Sequence, residues 1–274
     1  MSNLSQLGSD IAKLWGNYAG VYLNGMWKTV SLAVVCTLVG CLIGFLCGAL
    51  QTIPCTKRDP VLKRGSLGVL RALIRAYVEV FRGTPMILQA VFVYYGLPYF
   101  TNNAMQWKSV LLAAFVVVSI NTGAYMAETV RGGILSVDPG QTEGAKAIGM
   151  THWQTMSNVI LPQALRSIMP QIGNNFIINL KDTSVMFIIG YSEFFATHKA
   201  VVGATFLYFP SATIEMAGYL FMTLVSSVLL RWWEKRMDGS ASYDLATTDT
   251  LAHTSGMVRF PKNTVSDSQS ERGR

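Results

Sequence analysis

The chain has 274 residues, of which 51% are hydrophobic and 14% are charged. Because soluble domains carry about a quarter charged residues, this composition excludes an ordinary soluble domain and indicates a membrane protein with several spans. The net charge of +7 could suggest nucleic acid as a partner, but the basic residues cluster in particular loops, which is typical of membrane orientation, so no nucleic-acid partner is predicted.

The first predicted span is an uncharged run at 29–50, which is long enough for a crossing of roughly 20 residues. The residues before it, 1–28, are only mildly apolar, lack the pattern of a signal peptide and are interpreted as a separate N-terminal segment. Three glycines spaced four residues apart favour close packing against another helix: Gly40, Gly44 and Gly48. The four cysteines lie in or just after this span, and with three scattered histidines they predict no metal site.

A basic amphipathic helix is predicted within 51–82, where lysines and arginines outnumber acids and apolar residues recur at helical spacing. It would lie at the cytoplasmic surface or lead into the next span. Uncharged runs then predict a second span at 83–100 and a third at 109–127, which Glu128 follows directly.

The last two predicted spans lie at 167–191 and 210–230, separated by a short outer connection that could contain a re-entrant piece. Tryptophans and basic residues anchor the end of the fifth span at an interface, so the transmembrane domain is predicted to extend over 29–236. The remaining residues, 237–274, are rich in Ser, Thr, Asp and Gly and are predicted to form a disordered cytoplasmic tail.

Two short helices are predicted in the long polar segment between the third and fourth spans. Asp138 can cap the first helix, which Gly149 ends. Thr151 caps the second helix, which Pro162 breaks or kinks. A glutamine three residues after each cap can complete a capping box: Gln141 and Gln154. Such a pair, with Trp153 left to bury, is suited to docking a soluble partner and passing its movement to the spans. The alternative is an ordinary surface loop.

This segment, 138–166, resembles the EAA loop of ABC-importer permeases, which runs Glu-Ala-Ala, three residues, Gly, nine residues and Ile-x-Leu-Pro. The matching residues, which the resemblance implies couple the protein to an ATPase, are Glu143, Gly144, Ala145, Gly149, Leu161 and Pro162. Gly144 stands where the family has its first Ala and Val159 where it has Ile, with the spacing unchanged. Three further stretches resemble the polar amino-acid branch of that family: 77–85, 123–131 and 181–184.

The resemblance implies the permease subunit of a type I importer for polar amino acids, of the His, Glu, Gln, Arg or opine type. It implies as partners two cytoplasmic ATP-binding subunits, a second permease subunit that is identical or homologous, and an extracytoplasmic solute-binding protein, besides the amino-acid substrate and membrane lipid. The subunit would present alternating access and catalyse no bond chemistry. The sequence has no phosphate-binding loop of the Gly-x-x-x-x-Gly-Lys-Ser/Thr type, so ATP would be bound by a partner and no cofactor is predicted.

Five predicted spans make this an all-α membrane protein, with one coupling loop and with its termini on opposite sides of the membrane. The basic segment 51–82, the coupling loop and the tail share one side, which the positive-inside rule makes cytoplasmic. The N-terminus is then outside, the C-terminus is cytoplasmic, and a bacterial inner or plasma membrane is the expected location.

Ionised side chains in the middle of a span are costly and usually functional. Lys181 and Asp182 lie in the fourth predicted span. As neighbours they point about 100° apart on a helix, so one could line a pathway while the other pairs with Glu128 or Glu215. The alternative is a structural pair with the lysine reaching to the interface. The predicted substrate-binding residues are Asp182, Glu128, Asn175, Asn179, Ser184 and Lys181. The asparagines could equally join helices, and no catalytic residue is predicted.

The charge of the cavity decides the substrate class. Two acids would favour Arg, Lys or His, whereas neutralisation of one acid would favour neutral amino acids such as Gln equally. Two other function classes also fit charges within a membrane: an ion channel or secondary transporter that works without ATP, and an intramembrane enzyme. The EAA-like loop argues against the first, and the lack of a recognisable catalytic set argues against the second.

Overall fold

The computed structural model describes residues 3–55, 57 and 59–238, and every regular element in that part of the chain is helical. The predicted tail, 237–274, lies outside the described residues from residue 239 onwards. The described α-helices are α1 Asn3–Thr52, α2 Val61–Gly83, α3 Met86–Phe100, α4 Val110–Leu135, α5 Pro139–Ala147, α6 His152–Thr155, α7 Leu161–Asp182, α8 Phe194–Thr205 and α9 Tyr208–Asp238. A π-helical turn, Met156–Ile160, precedes α7, and a 3-10 helix, Thr183–Ile189, follows it. The all-α fold class is confirmed.

Three helices are long and apolar enough to cross a membrane: α1, α4 and α9. A fourth candidate arises if the helical stretch His152–Ile189 and α8, which are bent by 52° relative to each other, form one broken span. Helix α3 is apolar but has 15 residues, fewer than the roughly 20 that a perpendicular crossing needs. The described residues therefore support a membrane protein with three or four such segments, and the count of five spans stays a prediction.

Helix α1 extends well beyond the predicted first span, because it continues unbroken from Asn3 to Thr52. Its N-terminal part is held by tertiary packing, since Leu14 and Tyr22 are buried in a cluster with Phe194 and other apolar residues of α8 and α9. Packing of this kind stabilises a helix more than the propensities of its residues do. Residue 28 thus marks a change of composition within one helix, and the division of the chain there stays a prediction.

The predicted close packing along Gly40, Gly44 and Gly48 is confirmed. A Cβ atom placed on Gly44 would lie 2.3 Å from the Cβ of Met126 on α4. Cβ atoms on the other two glycines would likewise come within 2.8 Å of atoms of α4. The absence of side chains on this face of α1 therefore lets the two helices approach until their backbones nearly touch.

Helices α1 and α4 run in the same direction, whereas α7 runs in the opposite one. Gly40 meets Thr122 and Gly48 meets Val130, so contacts advance together along α1 and α4. Helix α7 starts after the coupling loop that follows α4, and Asn179 near its end returns to Thr122. The coupling loop therefore lies at one end of the helices, and the polar part of α7 lies further along them.

The predicted outer connection contains α8, which begins at a buried acidic cap. The carboxylate of Glu193 accepts hydrogen bonds from the backbone N–H groups of Phe195 and Ala196, each at 2.8 Å. Farther along, Glu215 lies 3.6 Å from Nδ1 of His198. Glu215 thus faces α8, and it does not form the pair with Lys181 or Asp182 that its place in the sequence suggested.

Candidate substrate cavity and coupling loop

A cavity of about 450 Å³ lies among α2, α3, α4 and α7, and we call it the Asp182 cavity. Its polar lining residues are Arg82, Thr84, Asn121, Thr122, Tyr125, Asn175, Asn179 and Asp182. Three of the six predicted substrate residues therefore line this cavity: Asn175, Asn179 and Asp182, all from α7. Asp182 is half-buried and lies where α7 passes into the 3-10 helix.

The two asparagines that were predicted to bind substrate differ in what their side chains contact. Asn179 is buried; its amide donates to Oγ1 of Thr37 at 2.8 Å, and its oxygen accepts from Oγ1 of Thr122 at 3.1 Å. It thus joins α1, α4 and α7, which is the helix-joining role that the sequence left open. Asn175 is half-buried; its amide donates within its own helix to the carbonyl of Gln171 at 2.9 Å and more weakly to Sδ of Met126 on α4 at 3.4 Å.

Lys181 and Ser184 take no part in lining the Asp182 cavity. The lysine side chain is exposed and the serine is half-buried. Adjacent residues of a helix point about 100° apart, so Asp182 can line the cavity while Lys181 points away from it. The lysine therefore supplies no cation to the lining of this cavity, although it is the neighbour of Asp182 in the chain.

Glu128 lies beside the Asp182 cavity and forms an ion pair with Arg82. Both residues line a second cavity of about 340 Å³, which we call the basic cavity. Its charged lining residues are Arg71, Arg75, Glu79, Arg82, Glu128 and Arg131. The guanidinium of Arg82 also lies over the ring of Tyr125, 5.4 Å from the ring centroid. Arg82 lines both cavities and so separates a cavity rich in asparagine from one rich in arginine.

Arg82 is the charged residue of this cavity that the sequence did not identify. The available signal is its place as the last charge of the amphipathic helix, directly before the segment 83–85 that leads into an uncharged run. Its partner Glu128 is 46 residues away in the chain, and no local pattern links the two. The amphipathic pattern of 51–82 indicates a polar helix face that includes Arg82, and it does not reveal that this residue lines a cavity.

Two amide side chains fix the turn that carries Arg82. The Nε2 atom of Gln89 donates to the carbonyls of Phe81 and Thr84, at 2.8 and 2.9 Å. Asn121 on α4 donates to the same Phe81 carbonyl at 3.2 Å and to Oε1 of Gln89 at 2.9 Å. These bonds satisfy carbonyls that the end of a helix leaves without an internal partner. The position of Arg82 is therefore tied to α3 and α4.

The caps of the coupling loop were largely predictable. Asp138 caps α5 by accepting from the backbone N–H of Gly140 at 2.7 Å, and Gly149 follows the helix with φ +81°. The box between Thr151 and Gln154 is formed from both sides, so that prediction is confirmed. The other predicted box is replaced by a different bond: Oε1 of Gln141 accepts from Nε2 of Gln163, 3.4 Å away.

Of the two effects predicted for Pro162, a break or a kink of the second short helix, the break is wrong and the kink stays a prediction. Helix α6 passes through the π-helical turn into α7, in whose first turn Pro162 lies. Within the wide turn, the N–H of Leu161 bonds to the carbonyl of Met156, five residues earlier. A proline ring clashes with the carbonyl four residues before it, and a single wide turn at this point accommodates the ring without ending the helix.

The loop exposes two large apolar side chains on either side of Gly149. Ile148 is 79% exposed and Trp153 is 76% exposed, so Trp153, which the sequence left to bury, is not buried within this chain. Of the predicted coupling residues, Glu143, Gly144, Gly149 and Pro162 are exposed, Leu161 is half-buried and Ala145 is buried. The side chains of Ile148 and Trp153 are therefore available for contact with a partner protein, and tryptophan is a frequent anchor of such contacts.

Comparison with known proteins gives consistent matches. Residues 61–239 match the family described as "Binding-protein-dependent transport system inner membrane component". The chain is 35% identical over 215 residues to the glutamine transport system permease protein GlnP of Escherichia coli (strain K12), covering 78% of this chain and 92% of that protein. It is 36% identical over 177 residues to the probable amino-acid permease protein YxeN of Bacillus subtilis (strain 168), covering 65% and 79%. A crystal structure of an amino acid ABC transporter with histidines is similar with a TM-score of 0.71 at 33% identity, covering 80% of this chain and 95% of the other.

Proposed function

Because this chain belongs to the inner membrane components of binding-protein-dependent transport systems, as a polar amino-acid permease of the type I ABC importers, we propose that it carries a polar amino acid with a neutral side chain into the cell. It is a transport subunit of a bacterial inner membrane and not an enzyme. Glutamine is the representative substrate, since the E. coli relative is named as a glutamine permease.

The observation that carries the substrate class is the charge of the Asp182 cavity. Arg82 neutralises Glu128, and Lys181 does not line the cavity. One acid, Asp182, is then left for the ammonium group of an amino acid, and a cationic side chain would lack a second anionic partner. Bare charge at membrane depth is expensive, so an amino acid with a neutral polar side chain fits this cavity best. Asn175 can offer it a neutral hydrogen bond.

Movement of the substrate would be driven from the coupling loop. In this proposal two cytoplasmic ATP-binding subunits hold ATP and dock on the loop through Glu143, Gly144, Ala145, Gly149, Leu161 and Pro162, with Ile148 and Trp153 as apolar anchors. Their closing and opening moves α7 and alternates the access of the Asp182 cavity between the two sides of the membrane. A solute-binding protein delivers the substrate from outside.

The membrane arrangement proposed here has five crossings, with α3 as a short one that requires the bilayer to be locally thinner. The N-terminus lies outside, and the basic residues of α2 and the coupling loop lie on the cytoplasmic side. A second permease subunit, identical or homologous, completes the enclosure, because five helices are too few to surround a pathway.

The test is ATP hydrolysis by the reconstituted transporter with its solute-binding protein, measured with each common amino acid in turn. We expect the strongest stimulation with glutamine or another neutral polar amino acid and weaker stimulation with arginine and lysine. Stimulation by cationic amino acids alone would overturn the substrate class. A lack of stimulation by every amino acid, in vesicles that hydrolyse ATP, would overturn amino-acid import.

A further inference from the structure

Arg82 lies where the two cavities meet and can be reached from both. Its side chain is 40% exposed and that of Glu128 is 44% exposed, so solutes can approach both side chains, although the paired oxygen Oε2 of Glu128 is itself buried. Ion pairs between partly exposed side chains contribute little free energy, so they can exchange partners at small cost. The ion pair therefore positions Arg82 but leaves it able to bind another carboxylate.

An amino acid in the Asp182 cavity has two charged groups to match, an ammonium and a carboxylate. Asp182 supplies the anion. Arg82 supplies the cation, because Lys181 does not line this cavity and Arg82 does. A guanidinium is also the group best shaped for a carboxylate, which it can bind through two parallel hydrogen bonds. In the empty cavity, the carboxylate that occupies Arg82 is that of Glu128.

We propose that the substrate α-carboxylate displaces Glu128 from Arg82, so that Glu128 is an internal stand-in for the substrate and not one of its ligands. The proposal rests on the proposed function, since it concerns an amino acid in the same cavity. When Glu128 is released it remains beside the basic cavity, where Arg75 and Arg131 can receive its charge. In the empty site Arg82 and Glu128 neutralise each other. In the loaded site the substrate carboxylate neutralises Arg82, and the arginines of the basic cavity neutralise Glu128.

The direction of the affinity change in Glu128→Gln separates a competitor from a ligand. The measurement is equilibrium binding of radiolabelled glutamine to the purified permease–ATPase complex without its solute-binding protein, whose own affinity would otherwise dominate. Removal of a competing, partly exposed ion pair should tighten binding about two- to fivefold. Arg82→Gln should weaken it about tenfold, because a charge-assisted hydrogen bond is lost. The double variant should bind like Arg82→Gln alone, since Glu128 acts through Arg82.

Two matched controls sharpen the test. Glu79→Gln removes an equal charge from the same basic cavity and should leave glutamine affinity within about twofold. Glutamine α-amide, which lacks the carboxylate, should not distinguish Glu128→Gln from the parent. Weaker binding in Glu128→Gln, or an equal gain in Glu79→Gln, would overturn the exchange. If the parent complex binds no amino acid, the proposed function fails instead, so the two failures are distinguishable.

Discussion

The coupling loop and the Asp182 cavity are held together in different ways, although one helix connects them. The loop is fixed by bonds between close neighbours in the chain, such as those between Thr151 and Gln154. The cavity is fixed across helices, as where Asn179 joins Thr37 and Thr122. A locally fixed unit can be displaced as a whole, whereas a cavity fixed across helices changes only when those helices move. The loop is therefore suited to receiving motion and the cavity to responding to it.

The connection between them is the helical stretch from His152 to Asp182. Because Pro162 lies within a helical turn and does not end the helix, this stretch runs through 31 residues, about 45 Å at the usual rise per residue. Trp153 stands exposed at one end and Asp182 lines the cavity at the other. A displacement of the loop can thus reach the cavity through a single element.

The largest effect is expected from a substitution that distorts the coupling loop and leaves the cavity intact. Gly149 is the position for it, because this residue forms the turn after α5. Gly149 has φ +81° and donates its N–H to the carbonyl of Lys146 at 3.0 Å. Proline can supply neither, since its φ is fixed near −65° and it has no N–H. A local penalty of about 3 kcal/mol corresponds to roughly a hundredfold loss. We expect Gly149→Pro to insert normally and to lose amino-acid uptake by vesicles by about that factor.

Gly144→Ala is the matched control for that variant. A Cβ atom at Gly144 meets no neighbour within 4 Å, and the residue lies inside α5. Alanine favours a helix by about 1 kcal/mol over glycine, so uptake should equal or slightly exceed that of the parent. Normal uptake by Gly149→Pro would show that the loop does not transmit motion.

The converse test changes the cavity and leaves the coupling loop intact. Asp182→Asn removes the acid proposed to meet the substrate ammonium, a charge-assisted contact worth about 1.5–3 kcal/mol. Glutamine binding to the purified permease–ATPase complex should weaken by a factor of about ten to a hundred, with basal ATP hydrolysis and assembly retained. Lys181→Gln changes an adjacent charge that does not line the cavity and should alter binding less than about twofold. Equal effects of the two substitutions would remove Asp182 from the site.

Features held by contacts between close neighbours in the chain could be predicted from the sequence, and features held by contacts between helices could not. The caps at Asp138 and Thr151 were predictable because every group involved lies within three residues, and the glycine stripe of α1 was predictable because it repeats along one helix. The role of Arg82 was not, because Glu128 comes from another helix. A break at Pro162, one of the two predicted effects, was also wrong, since a wide turn that accommodates a proline leaves no mark in local composition. Contacts across helices depend on helix rotation, which hydropathy does not fix.

A smaller effect is expected at the surface of the loop. Trp153 is largely exposed, and truncation of a tryptophan at the centre of an interface costs about 2 kcal/mol or more, and less toward its rim. Trp153→Ala should weaken association with the ATP-binding subunits about tenfold, as measured by co-purification at graded subunit concentrations, while glutamine binding to the assembled complex stays unchanged. Trp27→Ala, which removes an equally exposed tryptophan from α1, is the control. Equal losses in both variants would indicate general damage and not docking.

The smallest effects are expected from substitution of Asn179 and Asn175, two asparagines of α7 that line the same cavity but bond differently. The amide of Asn179 bonds to α1 and α4, whereas Asn175, which lines the same cavity, bonds to a carbonyl of its own helix and has only a weak sulfur acceptor, Met126, on α4. Hydrogen bonds between helices in membranes contribute about 0.6 kcal/mol each. Asn179→Ala should therefore lower the midpoint of thermal unfolding of the purified complex by a few degrees, since about 1 kcal/mol shifts it by that much, and leave glutamine affinity within about twofold.

Asn175→Ala should do the reverse, with unchanged unfolding and a several-fold loss of glutamine affinity, because a neutral hydrogen bond to the substrate contributes about 1 kcal/mol. If Asn179→Ala weakened binding without lowering the unfolding midpoint, Asn179 would be a substrate ligand and the bonds to Thr37 and Thr122 would be incidental. The shape of the cavity would then not be set by contacts between helices, although transmission of motion from the coupling loop requires that it is. A displaced α7 could in that case move past the substrate without reshaping the site that holds it.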